Sequence, residues 1–206
     1  MSPNTLSKEE KKALRKAGGL PGGGKRVVLL LASLSVLLPL ATLAFSFLIT
    51  TGNEQNFTPN NRGLLSVGSQ APDFTTQAVN GSNILLGDAA GKEATMVVFF
   101  ASWCPHCNRE APIISNLAGK YENLRVIMVG IDDQDNQKKV QEFVTRYGIK
   151  GPVAYDPSLG STYQASGYPT IYVIDKNKEI TAANSGEIPK DVLEGLVEEA
   201  LGSSSG

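Results

Sequence analysis

The run from Val27 to Ile49, VVLLLASLSVLLPLATLAFSFLI, carries no charged side chain over 23 residues, and it divides what the chain can fold into. At about 1.5 Å per residue it makes roughly 34 Å of helix, enough to cross the hydrocarbon core of a bilayer. A helix packed in a soluble core would show a polar stripe, and none is present. Membrane helices accommodate a residue such as Pro39. A cleaved secretory signal has an apolar core of only about 7–15 residues. Thr42-Leu43-Ala44 offers small residues for such a cut, so cleavage is the alternative to a retained anchor. Charge orients the span: residues 1–26 hold seven basic side chains against Glu9 and Glu10. Basic flanks stay in the cytoplasm, which sends residues 51–206 to the other side. The expected organisation is a basic cytoplasmic segment at 1–26, a transmembrane anchor at 27–49, a polar linker at 50–66, a folded domain at 67–201 and a flexible tail at 202–206.

Within the exported part, short apolar runs alternate with helical stripes. Met96-Val97-Val98-Phe99-Phe100 is continuously apolar and rich in β-formers, the pattern of a strand buried on both faces. A helical stripe follows through Ala111, Ile113, Ile114, Leu117 and Tyr121. Val126 to Asp132 reads as a second buried strand. Val140, Phe143, Val144 and Tyr147 then form a helix stopped by Gly148. Ile171 to Asp175 is a third strand, Lys176-Asn177-Lys178 a turn into a fourth around Ile180, and Pro189 to Leu201 a closing helix. This alternation predicts an α/β domain with a mixed central sheet and helices on both faces. Residues 65–206 carry 11 basic and 17 acidic groups, which argues against nucleic acid as a partner.

The chain has two cysteines, Cys104 and Cys107, and one histidine, His106, between them. One Cys-x-x-Cys and one histidine cannot fill a four-ligand zinc site, so no metal is expected. As a staple the pair would close a tiny loop and stabilise little. Redox exchange is the chemistry that suits it. Such exchange needs an accessible thiolate, and Cys104 falls where a strand gives way to a helix, whose N-terminal N–H groups favour a negative sulfur. A protonated His106 adds positive charge. Cys107, one turn on, is placed to resolve a mixed disulfide formed at Cys104. Glu110 is three residues past Cys107 and shares its helix face, which makes it a candidate proton acceptor; a solvated glutamate is the alternative.

Several pieces in order resemble the extracytoplasmic thioredoxin-like proteins of the TlpA/ResA type. They are Gly68-Ser69-Gln70-Ala71-Pro72-Asp73-Phe74, Phe99 through Cys107, Val129-Gly130-Ile131-Asp132 and Gly167-Tyr168-Pro169-Thr170. The resemblance spans residues 67–183 and implies a thioredoxin-like fold. It makes Pro169 a cis-proline facing the dithiol, with Tyr168 and Thr170 flanking it at the place where a substrate peptide pairs. It sets Trp103 beside the site, and matches Glu110 to an acidic residue often found there. The implied activity is dithiol–disulfide exchange with protein substrates, recycled by a membrane redox partner and needing no cofactor beyond the Cys104–Cys107 disulfide.

Pro105-His106 is the pair found between the cysteines of DsbA-like oxidases, whereas many TlpA/ResA proteins reduce substrates such as apocytochrome c. The residues between the cysteines tilt the expectation toward an oxidase or isomerase, with a reductase of the cytochrome c maturation type as the alternative. Cytosolic thioredoxins keep a buried aspartate six residues before the first cysteine; here that position is Val98. Deprotonation of Cys107 therefore needs another group. A peroxidase would place Thr or Ser three residues before its reactive cysteine, and those positions are Ala101 and Cys104. A copper chaperone would need a wider cysteine spacing and a distant histidine. A thiol-dependent binding module is the remaining non-enzymatic reading. If the anchor is retained, the full-length protein should stay in the membrane pellet after alkaline carbonate washing. Release into the supernatant would contradict a retained span.

Overall fold

The computed structural model describes residues 57–87 and 92–203; the expectations for residues 1–26, 27–49, the first part of the linker and the last three residues lie outside the described residues. Among the described residues no helix is long and apolar enough to cross a membrane. A hairpin of β1 (Thr75–Gln77) and β2 (Asn83–Leu85) precedes the central strand β3 (Ala94–Phe100). There follow α1 (Pro105–Lys120), β4 (Leu124–Gly130), α2 (Gln137–Tyr147), β5 (Val153–Tyr155) and the short α3 (Ser158–Thr162). The chain closes with β6 (Thr170–Asp175), β7 (Ile180–Ser185) and α4 (Lys190–Ser203). The main sheet runs β5-β4-β3-β6-β7. β3 pairs parallel with β4 and antiparallel with β6, so the sheet is mixed as expected.

All seven residues of β3 are buried, which is what an unbroken apolar run at the middle of a covered sheet requires. One face packs Met96, Val98 and Phe100 against Ile114 and Leu117 of α1, Phe143 of α2 and Leu193 and Val197 of α4. The other packs Val97 and Phe99 with Tyr163 and Tyr172, Leu64, Phe74 and Ile84. Helices sit on both faces, but unequally. The crossovers β3-α1-β4 and β4-α2-β5 step the same way across the sheet, and right-handed connections stepping one way fall on one face. α1 and α2 therefore share a face, on which α4 packs through Leu193 and Val197, while the hairpin, the N-terminal segment and the five-residue α3 cover the other. Helix limits follow local chemistry. The Asn136 side chain accepts from Lys139 N–H at the start of α2, and Gly148 ends it at φ 58°, a left-handed conformation that glycine adopts without cost.

Two expectations change. The folded unit begins at Phe57 rather than Val67, so residues 57–66 are not linker. Leu64 is buried, Asn60 N–H donates to Asn184 Oδ1, and Leu65 N–H donates to the Tyr172 hydroxyl. Ser185 N–H also donates to Asn60 O and Asn60 Nδ2 to Ser185 O, so buried Leu64 and these bonds secure a segment that composition alone marks as a tether. The hairpin β1–β2, strand β5 and helix α3 are additional elements. Each is three to five residues long, too short for periodicity to register.

Candidate active site

β3 ends at Phe100, and the chain turns through Ala101-Ser102-Trp103 into α1. Cys104 is the N-cap of that helix, in extended geometry with no side-chain cap of its own, and Pro105 occupies the first helical position, where a missing N–H costs nothing. Cys104 N–H donates to Ala101 O at 3.1 Å, closing the turn. The turn is also held from the β4–α2 loop, where buried Asp135 accepts from Ser102 N–H at 2.7 Å and from the Ser102 hydroxyl.

Both cysteines are free thiols, and both are buried: Cys104 is 5% exposed and Cys107 3%. The low exposure of Cys104 differs from the open thiol expected. Its sulfur lies 3.6 Å from the carbonyl oxygen of Tyr168, under the loop that carries Pro169. The Tyr168–Pro169 bond is cis. The same loop holds Thr170, whose side chain is fully buried and donates to Gly167 O at 2.8 Å. The carbonyl of Pro169 accepts from Gly186 N–H. Of the three residues named from sequence in this loop, Tyr168 is the one whose backbone faces the sulfur.

The rim beside Cys104 is aromatic. Trp103 is half exposed and stands edge-on to Tyr168, ring centroids 6.1 Å apart. Both are tied to Asp132: Trp103 Nε1–H donates to Oδ1 at 3.0 Å and the Tyr168 hydroxyl to Oδ2 at 3.2 Å. Partial burial works against ionisation of Asp132, but these bonds and one from Gln134 N–H outweigh it and hold the carboxyl below its usual range. Burial, then the Asp132 charge, push the Tyr168 phenol up to about 12. Tyr168 therefore acts as a neutral hydrogen-bond donor.

Beneath the rim the environment is apolar. Burial pushes the Cys107 thiol far above its ordinary value; a backbone bond from Ala101 opposes this, while Cys104 and Glu110 add to it. Glu110 has no exposed surface, which removes the solvated-glutamate alternative. Its Oε1 accepts from Ile188 N–H at 3.1 Å, whereas Oε2 is buried with no partner. Burial raises the Glu110 carboxyl to about 7; the Ile188 bond opposes the shift and nearby Glu187 adds to it. A carboxyl half ionised near neutrality, felt electrostatically by a buried thiol, is suited to exchanging a proton with it.

His106 and Pro105 lie on the exposed first turn of α1. His106 Nδ1 sits 2.9 Å from Glu187 Oε2 and 2.8 Å from Arg109 Nη2. Arg109 also reaches Glu187 with both Nε and Nη2, at 3.1 and 2.6 Å. These bonds from Arg109 and then His106 hold Glu187 down at about 2. Sequence reasoning passed over Arg109, Asp132, Asp135 and Glu187. Arg109, one turn from His106, had a local signal; Glu187, 78 residues further along, had none. Among the described residues no group of three His, Cys, Asp or Glu side chains is arranged to hold a metal ion.

A family model described as Redoxin matches residues 66–200. The chain is 33% identical over 135 residues to the thiol-disulfide oxidoreductase ResA of Bacillus thuringiensis (strain Al Hakam), covering 65% of this chain and 78% of that protein. It is 31% identical over 130 residues to the thioredoxin-like protein YneN of Bacillus subtilis (strain 168), covering 62% of this chain and 76% of that one. The crystal structure of a thiol:disulfide interchange protein of the thioredoxin family from Chlorobium tepidum TLS superposes with a TM-score of 0.57 at 26% identity, covering 66% of this chain and 99% of that chain.

Because the folded-state carboxyl of Glu110 titrates near 7 and its unfolded one near 4.5, the native protein takes up protons that the unfolded chain does not. Stability associated with Glu110 is present below about pH 4.5 and is lost as pH rises through 7. Glu110→Gln should therefore be the more stable protein at pH 8, by up to roughly 3 kcal/mol at about 1.36 kcal/mol per pKa unit, and the difference should vanish by pH 4. Urea unfolding at both pH values measures it; equal stability at pH 8 would mean that the carboxyl is not penalised by burial.

Proposed function

Because the chain belongs to the redoxin family and is a thiol–disulfide oxidoreductase of the ResA type, we propose that it is anchored by residues 27–49 and exchanges disulfides with extracytoplasmic proteins through Cys104 and Cys107. One observation carries the site reading: Glu110 is buried one helical turn past Cys107, whose thiol feels its charge, with one oxygen held by Ile188 N–H and the other without a partner. In the proposed cycle the Cys104 thiolate attacks one sulfur of a substrate disulfide and forms a mixed disulfide. The substrate S–S bond breaks, and its other sulfur leaves as a thiolate that takes a proton from water. Cys107 then passes its proton to Glu110 and attacks the sulfur of Cys104. The bond between Cys104 and the substrate breaks, and the substrate leaves as a thiolate that takes a proton from water. The substrate gains two electrons, and the protein keeps the Cys104–Cys107 disulfide. A membrane dithiol donor returns the two electrons for the next round, and no other cofactor is needed. Pro169 positions the substrate through its neighbour Tyr168, and Trp103 shapes the rim on which the substrate lies.

The direction we favour is reduction. An oxidising disulfide needs its reduced thiolate stabilised, as in DsbA. His106 is the residue that would do this here, and its Nδ1 is paired with Glu187. A compensated histidine leaves the thiolate with less support and the couple closer to a reductant. The oxidase or isomerase reading keeps the Pro105-His106 pair itself as its ground.

Two measurements test these readings. Cys107→Ala should accumulate a mixed disulfide with substrate at Cys104. Glu110→Gln should slow resolution by about 10²–10⁴-fold and flatten a rate that otherwise rises with pH through about 7. Unchanged kinetics in Glu110→Gln would remove it from the mechanism. The reduction potential of the pair should lie nearer the roughly −270 mV of thioredoxin than the roughly −120 mV of DsbA. A value near the latter would reverse the proposed direction.

A further inference from the structure

Three consecutive residues between β7 and α4 each hold a different part of the redox centre. Gly186, at φ 103°, donates its N–H to Pro169 O at 2.8 Å and so ties down the loop over Cys104. Glu187 takes His106 and Arg109 at the surface. Ile188 donates its N–H to buried Glu110. Gly186 takes this positive φ without the steric cost a side chain would bring, and the turn it begins carries Glu187 at the surface and Ile188 toward the interior.

We propose that Glu187 is a positioning residue that sets the redox poise of the Cys104–Cys107 pair by cancelling the charge of His106 and Arg109 at the head of α1. The inference rests on the proposed role of the two cysteines. His106 is two residues past Cys104 on the first turn, and Arg109 is one turn further on the same face. Arg109 is near enough to Cys104 for the two to interact through charge. Without the carboxylate, the positive charge at the head of α1 would face the Cys104 thiolate with nothing to offset it. The reduced form would then be stabilised and the disulfide would become the stronger oxidant. With the carboxylate, a dipeptide associated with oxidases sits in a site kept reducing. His106 Nδ1 lies between a donor and an acceptor, Arg109 and Glu187, so the carboxylate also fixes the ring's place on the surface that a substrate approaches.

The test equilibrates the full-length protein with dithiothreitol or glutathione redox buffers at low ionic strength and reads the Cys104–Cys107 disulfide by mass spectrometry. Glu187→Gln should shift the equilibrium constant three- to tenfold toward the dithiol, which raises the potential by about 15–30 mV. Glu187→Asp should restore most of the wild-type value. The shift should shrink at 0.5 M salt, because the groups are exposed, whereas a packing defect would not respond to salt. In a His106→Gln, Arg109→Gln background the same substitution should still shift the constant toward the dithiol, because the carboxylate charge acts on the Cys104 thiolate whether or not the cations are present. That double variant by itself should move the wild-type potential the opposite way, which tests the proposal even if Glu187→Gln fails to fold. No shift in Glu187→Gln, a shift undiminished at 0.5 M salt, or a rise in potential in the double variant would overturn the role of Glu187. A wild-type protein that never forms the Cys104–Cys107 disulfide in these buffers would overturn the site reading itself.

Discussion

Phe99 of β3 pairs with Thr170 of β6, and the chemistry of the domain depends on that register. The pairing sets the C-terminal end of one strand against the start of an antiparallel neighbour. Cys104, four residues beyond Phe100, and Tyr168, two residues before Thr170, are thereby brought within 3.6 Å. A slip of one residue would turn every side chain of β6 to the opposite face, exchanging Tyr172 for Ile171 and Val173 in the two cores. Both faces of the sheet are filled, so neither core tolerates the exchange. The site inherits its precision from packing that lies outside it.

Two electrostatic environments meet around the cysteines. Below, Cys107 and Glu110 are deprived of water, and burial favours their neutral forms. Above, His106, Arg109 and Glu187 are exposed and satisfied by one another. The proposed proton transfer belongs to the buried layer, and the exposed layer is the one a substrate would meet. The turn from Gly186 to Ile188 connects them, with the cis-proline loop tied to its first residue. Asp132 does comparable work on the other rim, where one carboxylate orients Trp103 and Tyr168 together.

The long elements were legible because they are strongly patterned. The apolar run at Met96 to Phe100 became the central strand, and the Val140–Tyr147 stripe became a helix ended by Gly148 as its sequence predicts. What escaped was short or distant. Strand β5 has three residues, and the segment from Phe57 to Ser66 is polar and glycine-containing, yet it is secured by Leu64 and by bonds to residues more than a hundred positions away. Which face each helix takes also escaped, because two crossovers stepping in one direction put α1 and α2 on the face against which α4 also packs.

Local spacing by itself determined that Cys104, His106 and Cys107 stand at a strand-to-helix junction, that Glu110 shares a helix face with Cys107, and that Trp103 is adjacent. These follow from helix periodicity and the chemistry of a few neighbouring residues, which sequence states directly. Tertiary structure alone decided that Glu110 is wholly buried with one free oxygen, that Cys104 lies under Tyr168, and that His106 is matched by a glutamate from the far end of the domain. Burial and charge compensation depend on groups that converge in space from β6, the β4–α2 loop and the β7–α4 turn. A dielectric environment is a property of everything packed around an atom, and no local pattern encodes it.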